Sequence, residues 1–265
     1  MAVQEQATRT SDASRADGSA RTGRRSPLDP RAVSGRLGRA MAGHPVRAYL
    51  LVTLVGFALL AAVTVAAGWA LQHYALPENG FGHRDEHVNV WLADHRTGLR
   101  TDISFWLSAM GDVYALPALV VLTVLVAAVR RRWRVAAFIV TAIAVEAATY
   151  RVVTLVIERQ RPHVPRLDDL PVNDSFYSGH TAASVTVYCG IALLLTSWVR
   201  SAALRAAIWL VAIAIPLLVA LARMYRGMHH PTDVTAGILV GIGCLLIALT
   251  AARVAGAAAR KDSAA

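Results

Sequence analysis

Arg223-Met224-Tyr225-Arg226-Gly227-Met228-His229-His230-Pro231-Thr232-Asp233 lies between two apolar runs, each long enough to cross a membrane. Ionisable groups are expensive in hydrocarbon, so such a cluster at a membrane boundary reads as a functional site rather than a plain connecting loop. His229 and Asp233 are four residues apart, within side-chain reach across a helix beginning at Pro231. A carboxylate so placed can accept the Nδ1 hydrogen of His229 and leave Nε2 free as a nucleophile or base. His230 is the rival for this role; its spacing to Asp233 puts the two on less similar helix faces.

Working outward, the apolar residues gather into long uncharged runs. They make up 55% of the 265 residues, and the mean hydropathy is +0.45. That pattern describes an all-α, polytopic membrane protein. The net charge of +10 would suggest nucleic acid in a soluble chain, but here the arginines sit in tails and short loops beside apolar runs. They act as topology determinants, and no nucleic-acid partner is implied. Cys189 and Cys244 both fall inside apolar runs, so no disulfide framework is indicated.

Six spans are expected, at 49–71, 113–129, 135–157, 181–199, 206–222 and 234–252. Arg130, Arg131, Arg132 and Arg134 mark one inner loop, Arg200 and Arg205 another, and Arg253, Arg260 and Lys261 the inner end of the last span. With both termini cytoplasmic, every inner segment is basic. Residues 1–47, with nine arginines and four acids, read as a disordered basic tail; 48–254 form the six-helix domain, and 255–265 a second cytoplasmic tail. The polar segment 72–102 reads as an exposed loop with a short interfacial helix, its irregularly spaced histidines forming no metal site. Glu146 and Arg151 interrupt the third span, and Glu146 is expected to hydrogen-bond a neighbouring helix.

This topology places Arg159, Arg161, Ser178, Gly179 and His180 on the same outer face as Arg223, His229 and Asp233. Ser178-Gly179-His180 begins a helix, where free amides and the helix dipole favour an anion. Arg161 and Arg223 can each grip phosphate oxygens in a fork.

Over roughly residues 49–252 the chain resembles the type 2 phosphatidic acid phosphatase superfamily, whose bacterial membrane members hydrolyse lipid phosphates and isoprenoid diphosphates. Three signatures carry the resemblance. Arg223, His229 and Asp233 have the family spacing, with Ala222 where a serine often stands. Ser178-Gly179-His180 matches the second, with Tyr177 in place of proline. Arg161-Pro162 ends the first, whose lysine is Thr154 here.

The resemblance implies a mechanism. His229, oriented by Asp233, attacks phosphorus; His180 protonates the leaving oxygen and then activates water; Arg161, Arg223, Ser178 and Gly179 hold the phosphate oxygens. Arg151, Thr154 and Arg159 are auxiliary candidates, Arg151 as the nearest substitute for the missing lysine. No cofactor is implied and no metal is required, since Glu158, Asp168 and Asp169 match no ligand pattern of comparable strength. The expected function is a metal-independent lipid phosphatase of the cytoplasmic membrane with its site facing outward and the bilayer as its partner. The alternative is a member weakened or silenced at Thr154 and Tyr177 that binds lipid without turning it over.

Overall fold

A computed structural model describes residues 27–29, 40–75, 81–169 and 174–259. The described residues are helical, without strands. In chain order the helices are α1 (Pro45–Ala70, continued by a π turn at Leu71–Ala75), α2 (Phe81–Asp94), α3 (Gly98–Ala109), α4 (Ala115–Val129) and α5 (Trp133–Thr154). They are followed by α6 (Gly179–Thr196, with a π turn at Val185–Cys189), α7 (Ala202–Tyr225) and α8 (Pro231–Ala258).

Among the described residues, five helices are long and apolar enough to cross a bilayer: α1 with its π turn, α5, α6, α7 and α8. The span expected at 113–129 is α4, with 15 residues. At a rise of about 1.5 Å per residue it covers roughly 22 Å, short of the about 30 Å of a hydrocarbon core. The segment expected as a loop with one short helix holds both α2 and α3, of 14 and 12 residues.

Outward-facing leucines and valines on α1, α4 and α7 stay exposed, as lipid-facing surfaces do, while the buried residues of α5, α6 and α8 form the centre of the bundle. Helices in lipid gain no hydrophobic drive from meeting one another, so close contact needs small residues. Gly237 and Gly241, one turn apart on α8, provide it: a Cβ at either would stand 2.6 Å from a main-chain oxygen, of Ser178 and Ala182 respectively. α6 is thus seated directly on α8, and its first residues come with it.

Most of the tail expected at 1–47 lies outside the described residues, as do 260–265 of the tail expected at the other end. The described parts of the former are seated on the bundle. Leu28 is buried among core residues, Arg134 Nη2 donates to its carbonyl at 2.6 Å, and Arg253 Nε donates to that of Pro27 at 2.7 Å. Gly43 N donates to Ala258 O at 2.9 Å, so α8 stays ordered beyond the boundary expected at 254. Glu146 is buried and meets Tyr177, just before α6, whose hydroxyl donates to the Glu146 main-chain oxygen at 3.4 Å, while its carboxylate Oε1 has no hydrogen-bond partner among the described residues.

A branched side chain at position 241 must push α6 off α8, because the obstacle is backbone. Gly241→Val is expected to cost about 1–3 kcal/mol, seen as a fall of roughly 2–4 °C per kcal/mol in the thermal midpoint in detergent. Gly98→Ala, where a Cβ meets nothing within 4 Å, serves as the control and should leave the midpoint in place.

Candidate active site

α7 ends in a reversal that the sequence dictates. Gly227 has φ +72°, a conformation open to glycine at little cost; its N–H donates to Met224 O at 3.0 Å, and Met228 N donates to Arg223 O at 3.0 Å. A Cβ there would also press on Val164 at 2.9 Å and on the Pro165 carbonyl at 3.1 Å. The chain then starts α8 immediately, with Pro231 as first helical residue and the Asp233 carboxylate accepting from His230 N at 2.8 Å. These two devices fix His229 between helices.

His229 is buried, and its Nδ1 lies 2.8 Å from Ser175 O but 3.9 Å from the nearer Asp233 oxygen. The expected contact with Asp233 is therefore replaced by one to a main-chain carbonyl. A carbonyl only accepts, so Nδ1 carries the proton and Nε2 keeps its lone pair without a protein partner. Burial, reinforced by the charges of Arg223 and Arg161, holds this imidazole well below the ordinary histidine range and keeps it neutral. Asp233 is turned elsewhere: towards His230, whose Nδ1 is 3.2 Å away, and towards Arg159. His230 is in turn tied to Glu86, with Nε2 at 3.1 Å, so both its nitrogens are engaged.

Arg159 is not available to phosphate. Its Nη2 bonds Asp85 at 2.6 Å, while its Nη1 bonds Asp233 at 2.5 Å and Thr232 at 2.6 Å. Asp85 and Asp233 are both buried, and a guanidinium between them is the least costly way to keep the two charges there. Arg151 is exposed, and its side chain makes no hydrogen bond or ion pair among the described residues; its carbonyl accepts from Thr154 Oγ1 at 3.2 Å. Thr154 bonds back into its own helix, to Tyr150 O at 2.9 Å. Tyr177 packs edge-on against Tyr150, ring centres 5.7 Å apart, behind the site.

The remaining expected residues converge. Arg161 is buried, its Nη1 donating to Met228 O at 2.5 Å, which pins it beside His229. Ser178 caps α6, and its N–H donates to Asp233 O at 3.1 Å, stitching the second signature to the third. Gly179 opens that helix, whose first amides have no intrahelical acceptor. Arg223 donates through Nη1 to Ser108 at 3.0 Å and Asp168 at 2.8 Å, whereas its Nε and Nη2 are buried with no acceptor. His180 and Arg223 line one polar cavity of about 360 Å³. Asp112 stands at its rim, 3.7 Å from His180 Nε2.

Several contributors escaped the sequence reading. Asn89 on α2 holds two carbonyls of the reversal, Met224 O at 3.1 Å and His229 O at 2.9 Å. Asp85, Glu86 and Asn89 come from a segment whose only sequence signal is polar residues one helical turn apart. Arg226 follows Arg223 by three residues, on the same side of α7, and both guanidiniums meet Asp168. Among the described residues no group of three or more His, Cys, Asp or Glu is arranged to hold a metal ion.

Residues 135–256 match the family model of the PAP2 superfamily, a stretch that contains all three signatures. A similar fold is seen in the crystal structure of the first transmembrane PAP2 type phosphatidylglycerolphosphate phosphatase from Bacillus subtilis. The TM-score is 0.60 at 23% identity, covering 77% of this chain and 93% of that one, a likeness of fold. Aquifex aeolicus LpxE aligns with a TM-score of 0.49 at 24% identity, covering 62% of this chain and 93% of that one. No curated protein sequence gives a significant match.

Removing the cation between Asp85 and Asp233 leaves two buried carboxylates facing each other. Arg159→Ala is expected to destabilise the protein by about 3–5 kcal/mol, read from the denaturation midpoint of purified protein. A near-unchanged midpoint with weakened substrate binding would return Arg159 to the phosphate.

Proposed function

We propose, from the match of residues 135–256 to the PAP2 superfamily model, that this protein is an integral membrane phosphatase acting on a lipid phosphate or isoprenoid diphosphate. The reading places the reaction at the outer membrane face, through a phosphohistidine intermediate. The observation that carries it is the pair of unclaimed, buried donors on Arg223, on the wall of a cavity shared with His180 and close behind neutral His229. Two buried guanidinium nitrogens without an acceptor among the described residues are costly unless an anion arrives to take them.

In the first step His229 Nε2 forms a bond to phosphorus as the bond to the lipid oxygen breaks, and His180 gives that oxygen its proton. In the second, His180 takes a proton from water, water attacks the phosphohistidine, and inorganic phosphate leaves with His229 restored. Arg161, Arg223, Ser178 and the Gly179 amide stabilise the charge that spreads over the equatorial oxygens. Asp233 acts on His229 at one remove, by fixing His230, Arg159 and the Ser178 amide around it.

Two features support a lipid and an outer site. An apolar groove of about 450 Å³, lined among others by Trp106, Met110, Leu119, Leu122 and Tyr188, shares Ala109 with the polar cavity, so a headgroup in one can leave its chain in the other. The basic loops lie at the opposite end of the bundle, where Arg132 stacks over Trp198 at 4.8 Å, which supports a cytoplasmic placement of that end.

His229→Ala is expected to abolish turnover together with any acid-labile phosphoenzyme, whereas His180→Ala retains the intermediate with substrates that have good leaving groups. Labelling with radioactive lipid phosphate reads both, and a phosphoenzyme surviving in His229→Ala would move the nucleophile elsewhere. Because arginines and main-chain amides supply the positive charge, turnover should survive chelation of divalent cations. Activity that returns only on adding a divalent cation would overturn the histidine mechanism.

A further inference from the structure

The phosphate contacts named so far leave out Arg226, the best-held guanidinium in the site. It is buried, with Nη1 on Ser104 Oγ at 3.1 Å, Nη2 on Leu167 O at 2.9 Å, and its plane near the Phe105 ring at 5.7 Å. Those contacts fix its direction. Its remaining edge faces the same cavity as His180 and Arg223, and there it meets one group, the Asp168 carboxylate.

The contact has the form of ligand recognition. Arg226 Nε donates to Asp168 Oδ1 and Oδ2, each at 2.9 Å, and Nη2 reaches Oδ1 at 2.5 Å; Arg223 Nη1 takes Oδ2 at 2.8 Å. One planar anion thus bridges the fork of Arg226 and a terminal nitrogen of Arg223, as two phosphate oxygens would. Asp168 itself is 23% exposed and comes from the connection between α5 and α6, not from a helix. Of the two partners, the arginines are built in and the carboxylate is the movable one.

We propose that Arg226 is a further phosphate-binding residue, and that the Asp168 carboxylate occupies its fork in the resting protein until a phosphate displaces it. The inference rests on the phosphatase reading and adds a third cation to Arg161 and Arg223. A phosphate carrying more negative charge than a carboxylate, and a third oxygen for Nε and Nη2 of Arg223, wins the exchange. Asp168 sets the cost of that exchange, which weakens the hold on substrate and on released inorganic phosphate alike.

The test uses the full-length protein in detergent, with inorganic phosphate as probe, its affinity read as inhibition of phosphatidic acid turnover and as thermal stabilisation. Asp168→Asn should tighten inorganic phosphate about tenfold and lower KM in step, the gain from removing a competing charge-assisted bond. In that background Arg226→Gln should undo the gain, since the fork that phosphate entered is gone. If the asparagine variant does not fold, Asp168→Ser carries the same expectation. Unchanged or weaker phosphate affinity in the Asp168 variant, or a gain that persists when Arg226 is also replaced, would reduce the pair to a loop anchor. A wild-type protein that releases phosphate from no lipid would sink the phosphatase reading, while thermal stabilisation by phosphate would still decide the role of Arg226.

Discussion

Arg159 between Asp85 and Asp233 is the interaction on which the site depends. Each bond joins a different part of the chain: Asp85 lies on α2, Arg159 follows α5, and Asp233 is in the first turn of α8. Three buried charges cannot be kept at a membrane boundary unless they neutralise one another at close range. Once they do, the surrounding geometry has little freedom. The Asp233 main chain takes the Ser178 amide, its side chain takes His230, and the segment after Arg159 is drawn across His229.

The ion cluster does not touch the reacting atoms in the proposed mechanism, and that division of labour explains the burial pattern. Arginines whose two terminal nitrogens are both engaged by carboxylates, such as Arg159, hold the architecture. Arg223, with two donors unclaimed, has something left to offer a substrate. Its position at the end of α7, next to the glycine reversal, means that the same turn delivers the proposed phosphate ligand and the proposed nucleophile on opposite sides of one connection.

Long apolar stretches made α1, α5, α6, α7 and α8 legible in the sequence, because spanning a bilayer demands them. The cluster around His229 was equally visible, since charge there has no other reason to exist. What could not be read was tertiary. Arg159 looks like a phosphate ligand by proximity to Arg161, and only the approach of α2 reveals that its donors are spent. Asp85, Glu86, Asn89 and Arg226 carry no spacing that singles them out, because their partners lie 58 to 144 residues away in the chain. α4 was read as a span from composition alone, and its helix, at 15 residues, is shorter than the five long apolar ones.

The acceptor that orients His229 is the Ser175 carbonyl, and Ser175 is itself held by main chain: its N–H donates to Arg159 O at 2.7 Å and its hydroxyl to Gln160 O at 3.1 Å. The orienting group of the nucleophile is therefore encoded by the path of the backbone and not by the identity of any side chain. Point substitution at position 175 cannot delete it, and drift there is invisible to it. A deletion or insertion between Arg159 and Ser175 shifts the carbonyl by a residue's length and takes the histidine out of register. For this site, the length of that connection is under tighter constraint than its spelling.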